Sequence, residues 1–290
     1  TGQVAFDLFD VPSRGIVAHA TGLGKTVLAA AWIAEQRTRD PTTRVLFLAH
    51  RDDLIQQACE RLGQWLISHE SEIDENLNVD SNLKSGHRLR VLLHLLDVDA
   101  LGYPDIQQLE ELLKKHKGAF VSLMHANNET GTRIRLKEVA RLVKDNDGIY
   151  HADTVQTMGH YRINLQEVPV DMINGAAHKF HGPKGVGFIF IRSGMQISPF
   201  IHGGSQERNM RGGTENLYGI IGLAKALEIA HRDMDAHQAH IMGLKNRMVE
   251  SLREKIAGVQ FNGDICEKSL YTVLNVSFPA GEAGEMLLFN

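Results

Sequence analysis

AAHKFHGPKG, residues 176–185, sets two lysines and two histidines between two apolar runs, VDMING (170–175) and VGFIFI (186–191). Both flanking runs read as buried strands. A strand that ends in Lys179 carries an ammonium to the edge of the core, where desolvating it is costly. Either the amine reaches out to water, or a group at that strand end needs an amine.

Working outward, strands and helices alternate over most of the chain. RVLLHLL (90–96) leads into the helical DIQQLEELLKK (105–115), and AFVSLM (119–124) follows. After HANNETGT (125–132) come the helix RIRLKEVARLVKD and the strand GIYHAD (148–153). This alternation predicts an α/β fold, a mostly parallel sheet with crossover helices. From Asn216 two long helical stretches follow, and then VQFN and YTVLNVSF return to strand character. That change predicts a smaller α+β domain reached through a long connecting helix.

Composition narrows the function classes. Of 290 residues, 35 are acidic and 31 basic, a net charge of −4, so no broad basic face for nucleic acid or membrane is expected. Two cysteines, Cys59 and Cys266, make neither a disulfide framework nor a zinc site. They fit a reducing, cytoplasmic setting. No apolar run reaches membrane-spanning length and no leader pattern opens the chain.

Ligands of α/β sheets bind beyond the carboxyl ends of the strands. Three loops there are rich in polar groups: HANNETGT, HADTVQTMGH (151–160) and AAHKFHGPKG. A lysine, a strand-end carboxylate and several amides and imidazoles suit a pyridoxal phosphate (PLP) site. The amine takes the cofactor aldehyde, and a carboxylate, here Asp153, keeps the ring nitrogen protonated. The blander readings are a helix cap for Asp153 and a solvated amine for Lys179.

VSLMHANNETGT, YHADTVQTMGH, AAHKFHGPKGVGF and HGGSQERNMRGGTEN occur in this order between about residues 118 and 231. Together they resemble the PLP-dependent cysteine desulfurases of the NifS/IscS type, in the class V aminotransferase group. The resemblance extends more weakly over about 90–290. It implies a PLP fold-type I architecture and a reaction that takes sulfur from L-cysteine and leaves L-alanine. It also implies a homodimer, with a sulfur acceptor or iron–sulfur scaffold protein as partner. By position, Lys179 would hold the cofactor, Asp153 would pair with the ring nitrogen and Gln156 with the phenolic oxygen. Asn128 would lie near that oxygen and the substrate carboxylate, and His178 near the phosphate. Thr214 would reach the phosphate of the partner subunit's site, and His69 is the candidate to stack on the ring. Within the same group, a selenocysteine lyase or an aminotransferase is the alternative.

The sequence also departs from the family. The family's nucleophilic cysteine and substrate-clamping arginine are expected past Asn290, and Cys266 does not match that cysteine. Ala176 replaces a phosphate-facing serine, and no Ser/Gly-Gly-Thr-Glu loop occurs before residue 90. The expectation is an incomplete copy of the enzyme.

At the other end, HATGLGKT (19–26) has the form of a phosphate-binding loop after a strand. Gly22 and Gly24 would supply backbone donors, Lys25 would reach the β and γ oxygens and Thr26 would hold Mg²⁺ beside ATP. With VLFLAHRDDLIQQACERL it resembles motifs I and Ia of superfamily 2 helicases, the only reading under which nucleic acid would be a partner. The stretch balances seven acids against seven bases over residues 1–65, so it offers no basic stripe. The expected organisation is therefore a P-loop fragment (1–66), a junction (67–89), a partial PLP-binding large domain (90–231), and a connecting helix with the start of a small domain (232–290).

Overall fold

The computed structural model describes residues 16–18, 45–49 and 91–279, apart from 196, 198, 200 and 267. Seven strands of these residues form one sheet: β1 (Ile16–Ala18), β2 (Val45–Ala49), β3 (Val91–Leu95), β4 (Phe120–Met124), β5 (Ile149–Asp153), β6 (Met172–Ala176) and β7 (Gly187–Ile191). Their spatial order is β1-β7-β6-β5-β4-β2-β3. β3, β2, β4, β5 and β6 pair in parallel, while β7 runs antiparallel to both β6 and β1. β7 can reverse because only GPKG and its neighbours separate it from β6, too short a link for a crossover helix.

Burial follows from this order. Every residue of GFIFI in β7 is buried, and β4 and β6 are buried at all but their central residue. Strands covered on both faces read as continuous apolar runs, as these do.

Four helices of the described residues complete the elements: α1 (Ile106–Lys115), α2 (Leu136–Asp145), α3 (Leu217–Arg232) and α4 (Met234–Lys255). α1 starts at Asp105, whose carboxylate accepts from the amides of Gln107 and Gln108 at 2.9 and 3.0 Å. α2 buries Leu136, Val139, Ala140 and Val143, one face at helical spacing. α3 packs on the turn after β6 at close range: a Cβ on Gly222 would lie 2.6 Å from Cγ of Pro183. Asp233 alone separates α3 from α4. A two-stranded antiparallel sheet, β8 (Gln260–Asn262) with β9 (Asn275–Ser277), follows as the pattern of VQFN and YTVLNVSF predicts.

Candidate cofactor site

Parallel β4 and β5 end level with one another and β6 runs two residues further, because Met124 registers with Asp153 and Asp153 with Asn174. Neighbouring strands lie about 4.8 Å apart. The loops after Met124, Asp153 and Ala176 therefore leave from one edge of the sheet, as the sequence pattern predicts.

Asp153, only 5% exposed, closes β5. Its Oδ1 accepts from the Val155 amide at 3.1 Å and from Nδ2 of Asn174 at 3.2 Å. The Asp153 carbonyl accepts from the His125 amide at 2.9 Å, which ties the first loop to the second. Thr154 donates to the Asn174 carbonyl at 2.7 Å and ties the second loop to β6.

Lys179 lies one strand over, in a 3₁₀ turn (Ala177–Phe180) that continues directly from β6. Although Lys179 follows a buried strand, its side chain does not enter the core: His178 and Lys179 are exposed, and Ala177 and Phe180 are buried. The turn sends alternate pairs of residues in opposite directions, so the apolar pair fills the core and lifts the basic pair out at the strand ends. His181 stops the turn with φ of 65°, and the Gly182 amide returns to the Ala177 carbonyl at 2.8 Å. His160 supports the same turn. Its Nε2 donates to the Lys179 carbonyl at 3.0 Å, so its Nδ1 accepts from the Tyr271 hydroxyl at 2.7 Å. Burial lowers the pKa of His160, consistent with a neutral ring in that arrangement.

The other candidates divide. Asn128 is exposed in the first loop and Gln156 half-buried in the second, both at this edge. Thr214 is exposed in the segment leading to α3, and no hydrogen bond among the described residues ties it to the three strand ends. His69 and the P-loop residues Gly22, Gly24, Lys25 and Thr26 lie outside the described residues.

Sequence reasoning missed His125, His151, Thr157 and Asn174. His125, 4% exposed, meets the Thr157 hydroxyl through Nδ1 at 2.8 Å, and burial, with Arg133 adding repulsion, holds its pKa down at about 3. His151 was legible in principle: two residues before Asp153 on a strand, it shares that residue's face. A cavity of about 700 Å³ also opens beside His125, lined by Arg133, Arg135, Lys137, Arg141 and Arg162 among others. Three of those cations already face acids, Arg135 with Glu138, Lys137 with Glu167 and Arg162 with Asp235. Neither Lys179 nor Asp153 lines it.

A buried carboxylate and an outward amine on adjacent strand ends fit a group that has both a basic ring nitrogen and an aldehyde. The family model for aminotransferase class-V matches residues 53–289, more than half of the chain. The chain belongs to the aminotransferase class-V family. That match begins inside VLFLAHRDDLIQQACERL.

Among the class-V relatives, the cysteine desulfurase IscS of Dictyoglomus turgidum is 42% identical over 193 residues, 67% of this chain and 48% of that one. A cysteine desulfurase of Sinorhizobium fredii is 40% identical over 198 residues, 68% of this chain and 51% of that one. The chain thus spans about half the length of the curated relatives it matches. Among solved structures, a NifS-like protein superposes with a TM-score of 0.77 at 29% identity, over 96% of this chain and 69% of that one. DndA from Streptomyces lividans superposes with a TM-score of 0.77 at 23% identity, over 99% of this chain and 75% of its own, a likeness of fold.

Proposed function

We propose that this chain carries the cofactor-binding part of a PLP-dependent cysteine desulfurase, acting on L-cysteine. The observation that carries the reading is the pairing of buried Asp153 at the end of β5 with outward Lys179 just past the end of β6. The relatives named as cysteine desulfurases support the substrate.

When bound, PLP supplies an aldehyde for an amine and a ring that withdraws electrons from the substrate. Lys179 would hold it covalently, and its exposure leaves the amine open to the cofactor. Asp153 would hold a proton at the ring nitrogen. Its burial keeps water from competing for that contact. Gln156 would donate to the phenolic oxygen, and Asn128 would bind near it and orient the substrate carboxylate. His178 would contact the phosphate. Thr214 would serve the site of the partner subunit in a homodimer. His69 would stack on the ring.

The reading further assigns residues 90–231 to the large domain and the β8–β9 region to the small one, with a sulfur-accepting or iron–sulfur scaffold protein as partner. A cytoplasmic setting suits the chemistry, since a reducing compartment keeps the thiol of L-cysteine from pairing as a disulfide. Among the described residues, no helix is long and apolar enough to cross a membrane.

The test is uptake of PLP, followed by borohydride reduction and peptide mapping. A visible absorption band, fixed by reduction onto Lys179 and lost in Lys179→Ala, is expected. A reduced adduct that persists in Lys179→Ala refutes the assignment. Lys25→Ala is the control for HATGLGKT: ATP hydrolysis lost with it would assign a separate nucleotide chemistry to that loop.

A further inference from the structure

We propose that Ser122, His151 and Asn174 form a rack that orients the Asp153 carboxylate toward the cofactor ring nitrogen, a positioning role that rests on the PLP reading above. The three residues stand on three adjacent strands, β4, β5 and β6. Ser122 Oγ lies 2.8 Å from His151 Nδ1, His151 Nε2 lies 3.0 Å from Asn174 Oδ1, and Asn174 Nδ2 lies 3.2 Å from Asp153 Oδ1.

The direction of every bond follows from its last member. An ionised carboxylate only accepts, so Asn174 must turn its amide nitrogen to Asp153 and its carbonyl to His151. A carbonyl only accepts as well, so His151 carries its proton on Nε2. Its Nδ1 then accepts from the Ser122 hydroxyl. Three groups on three strands donate in one sense, toward Asp153, and bonds chained in this way strengthen one another.

Core packing alone does not call for this. His151 is 1% exposed, and burying a polar ring inside a sheet is unfavourable unless both nitrogens are satisfied. A strand needing only bulk there would carry valine or isoleucine. What the rack adds is orientation. With the Val155 amide from the turn after β5, it places two donors on Oδ1, which holds the carboxylate plane against rotation about its Cβ–Cγ bond. A carboxylate that meets a ring nitrogen gains from being held in that plane beforehand.

The experiment uses the full chain, titrated with PLP and followed by absorbance and fluorescence. Wild type is compared with Asn174→Leu, His151→Leu, His151→Gln and, as reference, Asp153→Asn. Glutamine can present an amide hydrogen where Nε2–H stood, so His151→Gln should bind PLP within about threefold of wild type. Each leucine variant breaks two of the rack's three bonds, and the loss of orientation at the carboxylate, taken as one hydrogen bond to a charged group, corresponds to a loss of about tenfold to a hundredfold in PLP affinity. Their bound-cofactor absorption should move in the same direction as that of Asp153→Asn. Where leucine unfolds the chain, Asn174→Ser, too short to bridge, takes its place.

Wild-type affinity and spectrum in the leucine and serine variants, beside a weakened Asp153→Asn, would overturn the rack and leave the cofactor reading standing. A wild-type chain that takes up no PLP would overturn the cofactor reading and the purpose of the rack together. The rack itself is read without cofactor from the nitrogen resonances of His151. A neutral ring protonated on Nε2 supports it, and an Nδ1-protonated or charged ring overturns it.

Discussion

Acidification from pH 7.5 to 5 should weaken the fold through His125 in particular. Its ring is buried with one partner, the Thr157 hydroxyl, and the Arg133 guanidinium repels any charge placed on it, so its pKa lies at about 3. In the unfolded chain a histidine titrates at about 6.5. Below that pH the unfolded state takes up a proton that the folded state refuses. Stability is therefore complete above pH 6.5 and is lost as pH falls toward 3. Between pH 7.5 and 5 the loss is about 2 kcal/mol, set almost wholly by the unfolded value, because the folded ring stays neutral throughout that range. The comparison is His125→Asn, whose amide nitrogen can donate to Thr157 as Nδ1–H does but which cannot titrate. Urea unfolding at the two pH values should show wild type losing about 2 kcal/mol more than the variant. His160 and His231, whose pKa values burial also lowers, contribute equally to both proteins and cancel. Equal losses in wild type and His125→Asn would refute the argument.

Two substitutions test how the strand ends are held, and Lys179→Ala, described above, tests what they hold. A Cβ on Gly175 would stand 2.4 Å from Cε1 of Phe188, its partner in register on β7, inside the core. Gly175→Ala should cost about 1–3 kcal/mol, seen as a lowered Tm, and Phe188→Leu in the same chain should restore part of it. Arg192 donates to the carbonyls of Val170, Leu165 and Val168 at 2.7, 3.0 and 3.0 Å, closing the loop that feeds β6. Arg192→Ala should cost about 2–3 kcal/mol by urea unfolding, and Arg192→Lys should recover little, since an ammonium cannot span three carbonyls as the planar guanidinium does.

Much of this molecule was legible in the chain itself. The strands AFVSLM and VGFIFI announce themselves because strands buried on both faces must be apolar along their length, and the helix RIRLKEVARLVKD shows its buried face by spacing alone. The same local logic located Asp153 and Lys179, since loops at the carboxyl ends of such strands are where polar residues gather. The composition also stated the charge balance that argues against a nucleic-acid face. Tertiary structure decided the rest, because register is a relation between strands distant in sequence. It set Asn174 beside Asp153 and within reach of His151, although the three lie 21 and 23 positions apart in the chain. It also decided that Lys179 faces outward: a lysine between Ala177 and Phe180 reads as buried in one dimension, and only the 3₁₀ turn after β6 shows which pair the core takes.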